Sequence, residues 1–283
     1  MRNRPMMLVS SLATALAFAL PAVAQVYFPP ALGGPSAEAK AAAAAEPKPT
    51  YDPHDLTGVW RGVNAATASG RPRDTLMGGA PAPPMTAWGR EQFNAHKPSE
   101  PYADDSRKVP PAQGNDPLGN CDPLGYPRNL GTFEILQTPT KIVQLFQEGL
   151  RIREMWIDGR KLPDDVDPRW YGWAVGHWEG DALVVDSKGY DGRTWLDGNG
   201  YPHSEDMTLH EVFRHPDATT LEITMTLTDP TAYAQPWVGK PQLFRMLLPK
   251  NRTELYESFC VPSEEQSFNE RVRNPAGGVV TKK

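Results

Sequence analysis

Met207-Thr-Leu-His-Glu-Val-Phe-Arg214, His215-Pro-Asp217 and Leu221-Glu-Ile-Thr-Met-Thr-Leu-Thr228 decide the fold class. The last run alternates apolar and polar at every position, so as an extended strand it buries one face and wets the other. His-Pro-Asp between the two runs is a turn signal, which makes the whole stretch a hairpin. The same texture extends in both directions. Phe133–Gln137, Lys141–Gln147 and Leu150–Ile157 are separated by Thr-Pro-Thr and Glu-Gly. Ala174–Trp178 and Ala182–Asp186 flank Glu179-Gly-Asp181, and Gln242–Leu248 and Glu254–Cys260 flank Pro249-Lys-Asn-Arg252. Eight to ten short strands in hairpin order with almost no helix predict an all-β fold, an antiparallel up-and-down barrel. A barrel of this kind often holds one small ligand.

Further out, the texture changes. From Gly70 to Gly131 the chain is dominated by Pro, Gly, Asn and Asp, predicting a long irregular wrap. Within it, Thr86 is placed to cap a short helix over Ala87–Ala95. Residues 25–50 read as an Ala/Pro-rich tether. Residues 1–24 read as a signal peptide, with Arg2 and Arg4 ahead of an apolar stretch and Ala22-Val-Ala24 as the cleavage site. One domain over 51–270 and a flexible tail over 271–283 complete the layout. The expected location is therefore periplasmic or secreted, with no membrane span once the signal is cleaved.

Composition narrows the function. The 283 residues are 39% apolar and 22% charged, with 30 prolines and eight tryptophans, which excludes a chain disordered throughout. Signal removal takes away two arginines and no acid, moving the formal charge from −5 to −7. A mildly acidic chain with interspersed charges has no footprint for nucleic acid. In an oxidising compartment the two cysteines, Cys121 and Cys260, either bridge to each other or remain as unrelated thiols.

The strand series is interrupted once, by the polar, glycine-rich loop Tyr190–Glu205. Here His203 is a candidate general base, with Asp197 or Glu205 as its orienting carboxylate. The plain alternative is an Asp-Gly-Asn-Gly turn with His203 capping the next strand. Strand alternation beyond the loop puts Glu205, Met207, Leu209, Glu211 and Phe213 on one face in one register. In that register Glu211 is a buried acid in need of a partner; in the other it is wet. Asp186, ending the apolar strand Leu183–Val185, is a similar second acid. Trp195 and Thr194 in the loop, with Trp173, Trp178 and Arg128, are candidate ligand contacts. The dense tryptophans Trp156, Trp170, Trp173, Trp178 and Trp195 equally suit a barrel core. His203, Glu205 and His210 offer metal-ligand atoms without metal-ligand spacing, so no metal and no cofactor is expected.

Asp55-Leu-Thr-Gly-Val-Trp60, Cys121-Asp-Pro-Leu-Gly-Tyr-Pro-Arg128, Trp178-Glu-Gly-Asp-Ala-Leu-Val-Val-Asp186 and Thr194-Trp-Leu-Asp-Gly-Asn-Gly-Tyr-Pro-His-Ser-Glu205 together resemble a family of exported bacterial proteins of unknown function. The Leu-Thr-Gly-x-Trp opening is also similar to the first strand of lipocalin-like (calycin) barrels, which implies small-ligand binding and no catalytic residues. Two functions follow as expectations. One is an exported acid–base enzyme of lyase, hydratase or isomerase type acting on an apolar or aromatic metabolite in a barrel cavity. The other is a non-catalytic lipocalin-like carrier of a small hydrophobic ligand. A carbohydrate-binding or envelope-interaction module ranks third. Oligomeric state is not legible.

Overall fold

The computed structural model describes residues 51–63, 76–99, 106–247 and 254–276. The expected signal peptide and tether lie outside the described residues, as do parts of the wrap. The described chain belongs to one compact unit. Its strands run β1 (Gly58–Gly62), β2 (Thr132–Gln137), β3 (Lys141–Phe146), β4 (Arg151–Trp156), β5 (Trp173–Glu179), β6 (Ala182–Lys188), β7 (Thr208–Asp217), β8 (Thr220–Thr228), β9 (Trp237–Val238) and β10 (Gln242–Met246). Neighbours in sequence pair around the sheet, and β10 bonds to both β1 and β8, so nine strands close a barrel. Strand β9 pairs with the far end of β8.

Closure explains the one departure from an antiparallel meander. A ring of nine strands cannot alternate direction all the way round, so some neighbouring pair must run parallel. That pair is β4–β5, whose ladder is only Met155↔Ala174 and Trp156↔Val175. The crossover 157–172 between them replaces a hairpin, as a parallel connection requires.

Alternation fills the interior as the sequence pattern demands. Leu221, Ile223, Met225 and Leu227 of β8 and Leu209, Glu211 and Phe213 of β7 are all buried. Each fully buried apolar side chain contributes roughly 1.5–3 kcal/mol, an upper figure because denatured chains are partly collapsed. Trp60, Tyr126, Phe133, Phe146, Tyr190, Phe213, Tyr233 and Phe244 are large, fully buried rings. They pack together in one hydrophobic core cluster.

The wrap between β1 and β2 lies across the barrel rather than apart from it. Helix α1 (Ala87–Ala95) is capped by the Thr86 hydroxyl, which accepts from the Gly89 N–H at 3.0 Å. Thr86 also donates to the Thr231 carbonyl at 2.6 Å, and Trp237 Nε1 donates to Ala80 O at 3.1 Å. Residues Glu254–Cys260, expected as a strand, are irregular. Beside β10, where a next strand in sequence would add, both neighbours are already taken: β10 is bonded to β1 and β8, and β8 is shared by β10 and β9. They lead instead into α2 (Pro262–Phe268) and a further helical stretch, Asn269–Ala276, that covers the start of the expected tail. The Cys121–Cys260 disulfide ties this segment to the wrap across a separation of 139 residues, with Cα atoms 5.3 Å apart. Among the described residues no helix is long and apolar enough to cross a membrane.

Candidate functional site

The inward register at Glu211 puts a charge in the barrel interior, and the structure supplies its partner from β4. Arg153 and Glu211 are both fully buried and form a bidentate ion pair. The Tyr126 hydroxyl donates to Glu211 Oε1, reaching in from the wrap. Arg153 also donates to Gln144 Oε1 at 3.1 Å and to Ser187 Oγ at 3.3 Å, and Ser187 meets the Tyr190 hydroxyl at 2.6 Å. Burial is the largest influence on Arg153 and lowers its pKa, but the Glu211 carboxylate together with Tyr126 and Tyr190 outweighs it and the net shift is upward. Burial and the Glu211 charge raise the Tyr126 phenol well above its ordinary value, and burial pushes Tyr190 up to about 12. The unit is therefore a closed carboxylate–guanidinium–phenol network whose two phenols are held in their protonated form. Its side chains consume one another's hydrogen-bonding capacity, except that Arg153 Nε and Gln144 Nε2 remain without partners.

Above this network the loop 190–205 and the wrap motif 121–128 close one end of the barrel. Gly125 carries a φ of 73°, and a Cβ there would stand 2.7 Å from the Thr194 side chain, so only glycine lets the segments meet. His203 is buried at 2% exposure, and both ring nitrogens are engaged. Its Nδ1–H donates to Ser204 O at 3.0 Å, so Nε2 accepts from the Thr194 hydroxyl at 2.6 Å. Burial lowers its pKa and keeps it neutral. Tyr190 packs edge-on against His203, standing between it and the Glu211 network.

Asp197 is also turned inward on itself. It accepts from Asn199 N at 3.0 Å, Asn199 Nδ2 at 3.0 Å and Tyr201 N at 3.1 Å, while burial raises its pKa. The carboxylate that organises the loop is Asp229, which accepts from Ser204 N, Ser204 Oγ, Thr231 N and Ala232 N at 2.6–3.1 Å. No motif marked Asp229. Its only sequence signal is the Asp-Pro turn that ends the alternating β8 run.

Most remaining candidates are dispersed by the fold. Glu205 is exposed, because the chain is still in the loop there and strand alternation starts only at β7. Asp186 pairs with His210 at 2.8 Å on the outer face of β6 and β7, where both are exposed. These placements separate His203, Glu205 and His210. Among the described residues no cluster of three His, Cys, Asp or Glu could hold a metal. Trp195 is buried, stacked on His96 at 4.6 Å; Arg128 is bidentate to Asp116 at 2.9 and 2.5 Å. Trp178 packs edge-on against His54, away from that end. The five ligand-contact candidates thus lie in three places.

Trp173 lines a cleft at the β4–β5 seam. The two-residue ladder leaves Arg151–Glu154 of β4 with a strand neighbour on one side only, and the wall opens there. The opening is a cleft of about 370 Å³ whose lining includes Ile152, Glu154, Trp156, Trp170, Tyr171 and Trp173. The turn Arg169–Gly172 forms its rim, closed by Gly172 N donating to Arg169 O at 3.2 Å. Gly172 has a φ of 63°, and a Cβ would meet the Tyr190 ring at 2.8 Å. Tyr171 anchors the turn, stacking on Phe146 at 5.2 Å and accepting from Asn129 Nδ2 at 2.7 Å. Trp156, Trp170 and Trp173 remain half-buried, outside the core the sequence had offered them. A second cleft of about 300 Å³ adjoins the disulfide, with Leu118, Glu148, Arg151 and Phe259 in its lining.

The chain matches no known family model, no characterised protein and no solved structure.

Proposed function

We propose that this chain is a small-molecule binding protein whose ligand lies in the aromatic cleft of the barrel wall. The observation that carries the reading is the convergence of three indoles and a tyrosine on one opening of about 370 Å³. That size is at the lower end for small-molecule sites and suits a one- or two-ring molecule. Half-buried indoles on a pinned turn supply flat apolar area at little entropic cost. The disulfide suits an oxidising compartment and supports the reading of an exported binder, lipocalin-like in outline. Its ligand position differs from a lipocalin's, in the wall instead of the lumen.

The acid–base enzyme reading draws less support. A general base needs a free lone pair facing substrate. His203 has its Nε2 lone pair committed to Thr194, and Glu211 is locked between Arg153 and Tyr126. The test is equilibrium dialysis against a mixed metabolite extract, followed by mass spectrometry of retained and altered compounds. Retention of unaltered aromatic compounds by the wild type, lost in Trp173→Ala and kept in His203→Gln, supports the binder. Conversion of a compound by the wild type, lost in His203→Gln, overturns it.

A further inference from the structure

We propose that the cleft selects planar aromatic anions and that Arg169 is the residue that holds the anionic end. The proposal rests on the reading of the cleft as a ligand site and names the class of ligand it takes.

Arginines cover all three indoles of the cleft, but in two different states. Arg160 lies over Trp156 at 3.7 Å and is bidentate to Asp158 through Nε and Nη2; Arg193 lies over Trp170 at 4.3 Å and is bidentate to Asp191 in the same way. In each, the charge is already paired and the Nε–Nη2 edge of the fork is engaged by a carboxylate of this chain. On the β4 wall Glu154 is likewise occupied by Lys141. Arg169 is the exception: it lies over Trp173 at 3.3 Å, and among the described residues no carboxylate pairs with it. At that separation the guanidinium has to lie flat on the indole, because an edge-on approach would push its nitrogens into the ring. A stacked guanidinium keeps its N–H groups in its own plane, directed outward, which is the fork that a carboxylate fits bidentately.

The backbone beneath Arg169 is fixed. Its N–H donates to Gly189 O at 2.9 Å, and its carbonyl accepts from Asp191 N at 3.0 Å and Gly172 N at 3.2 Å. The free fork therefore sits at a set position beside Trp170 and Trp173, on the rim of the same cleft. Indole surface for a ring, with one open cation at its edge, is the complement of an aromatic carboxylate. Sugar recognition would require carboxylates and amides free to bond hydroxyls, whereas the one carboxylate in the lining is already paired.

The test uses the full chain and a matched pair of probes, 2-naphthoate and 2-naphthamide, with quenching of the native tryptophans and calorimetry as readouts. Wild type is expected to bind naphthoate about tenfold more tightly than the amide. Arg169→Gln should bring the two within about twofold and leave the amide unchanged, and Arg169→Lys should fall between because it loses the fork. If Arg169→Gln does not fold, the wild type alone decides: its naphthoate preference should shrink as salt rises from about 20 to about 300 mM. Equal binding of both probes by the wild type, or a preference that survives Arg169→Gln, overturns the anion proposal and leaves the cleft standing as a site. Saturable binding of neither probe overturns this proposal and the binding reading together.

Discussion

Glu211→Gln offers the sharpest separation of a structural from a chemical role for the barrel interior. The substitution keeps shape and an acceptor for the Tyr126 hydroxyl, but it leaves the fully buried Arg153 guanidinium without its carboxylate. Removing one partner of a buried pair costs about 3–5 kcal/mol, because the other charge stays uncompensated in a low dielectric. Set against a typical stability of about 5–15 kcal/mol, that is a large fraction. Replacing both partners, in Arg153→Met with Glu211→Leu, removes the stranded charge. It still orphans the Tyr126 hydroxyl, for about 1–3 kcal/mol. The double variant is therefore expected to be more stable than Glu211→Gln alone, which is a non-additivity that only a coupled pair produces. Urea unfolding of the wild type, Glu211→Gln, Arg153→Met, Glu211→Leu and the double variant measures this. A Glu211→Gln loss below about 1 kcal/mol, or strictly additive losses, would refute the reasoning that the network is a structural element of the core.

Other expectations follow from the same geometry. Burial lowers the pKa of both His203 and His96, so the unfolded state takes up protons first as pH falls below about 6.5. Stability should thus be full above that value and decline towards pH 5, by at most about 1.4 kcal/mol per pH unit for each histidine. His203→Gln should flatten the decline, and an unchanged slope in urea titrations across pH 5–7 would contradict it. Opening the disulfide that spans 139 residues, by Cys121→Ser with Cys260→Ser, should cost about 3–5 kcal/mol in the same assay. Gly172→Ala forces a side chain into the left-handed region and against the Tyr190 ring, so it should cost at least about 1–2 kcal/mol and weaken any ligand of the cleft. Normal stability and normal binding together would show that the turn is not what shapes the site.

Much of the fold was legible because its determinants are local. The period-2 pattern of Leu221–Thr228 needs only a burial gradient to become a strand, and Thr86 needs only the adjacent N–H groups to cap α1. The inward Glu211 is one of the two registers that alternation allowed, and its partner Arg153, 58 residues away, left no trace in the pattern. Global features were not legible. The parallel β4–β5 pair is a consequence of closing an odd ring, and ring size is not written in any one segment. Glu254–Cys260 carries a plausible strand pattern and failed because β10, the strand before it, is already bonded on both sides. The loop 190–205 attracted attention by composition, yet its polar groups satisfy one another around Asp229 and Asp197. The aromatic cleft was half visible: the tryptophans were conspicuous, but their place outside the core depends on the gap that closure leaves in the wall.

The most direct test of the central claim is the crystal structure of the protein soaked with 2-naphthoate. The account predicts a ring seated beside Trp170 and Trp173 in the β4–β5 seam, with the barrel interior and its Arg153–Glu211 pair undisturbed. A ring lodged against His203 under the loop 190–205, or within the lumen in place of Tyr126, would contradict it.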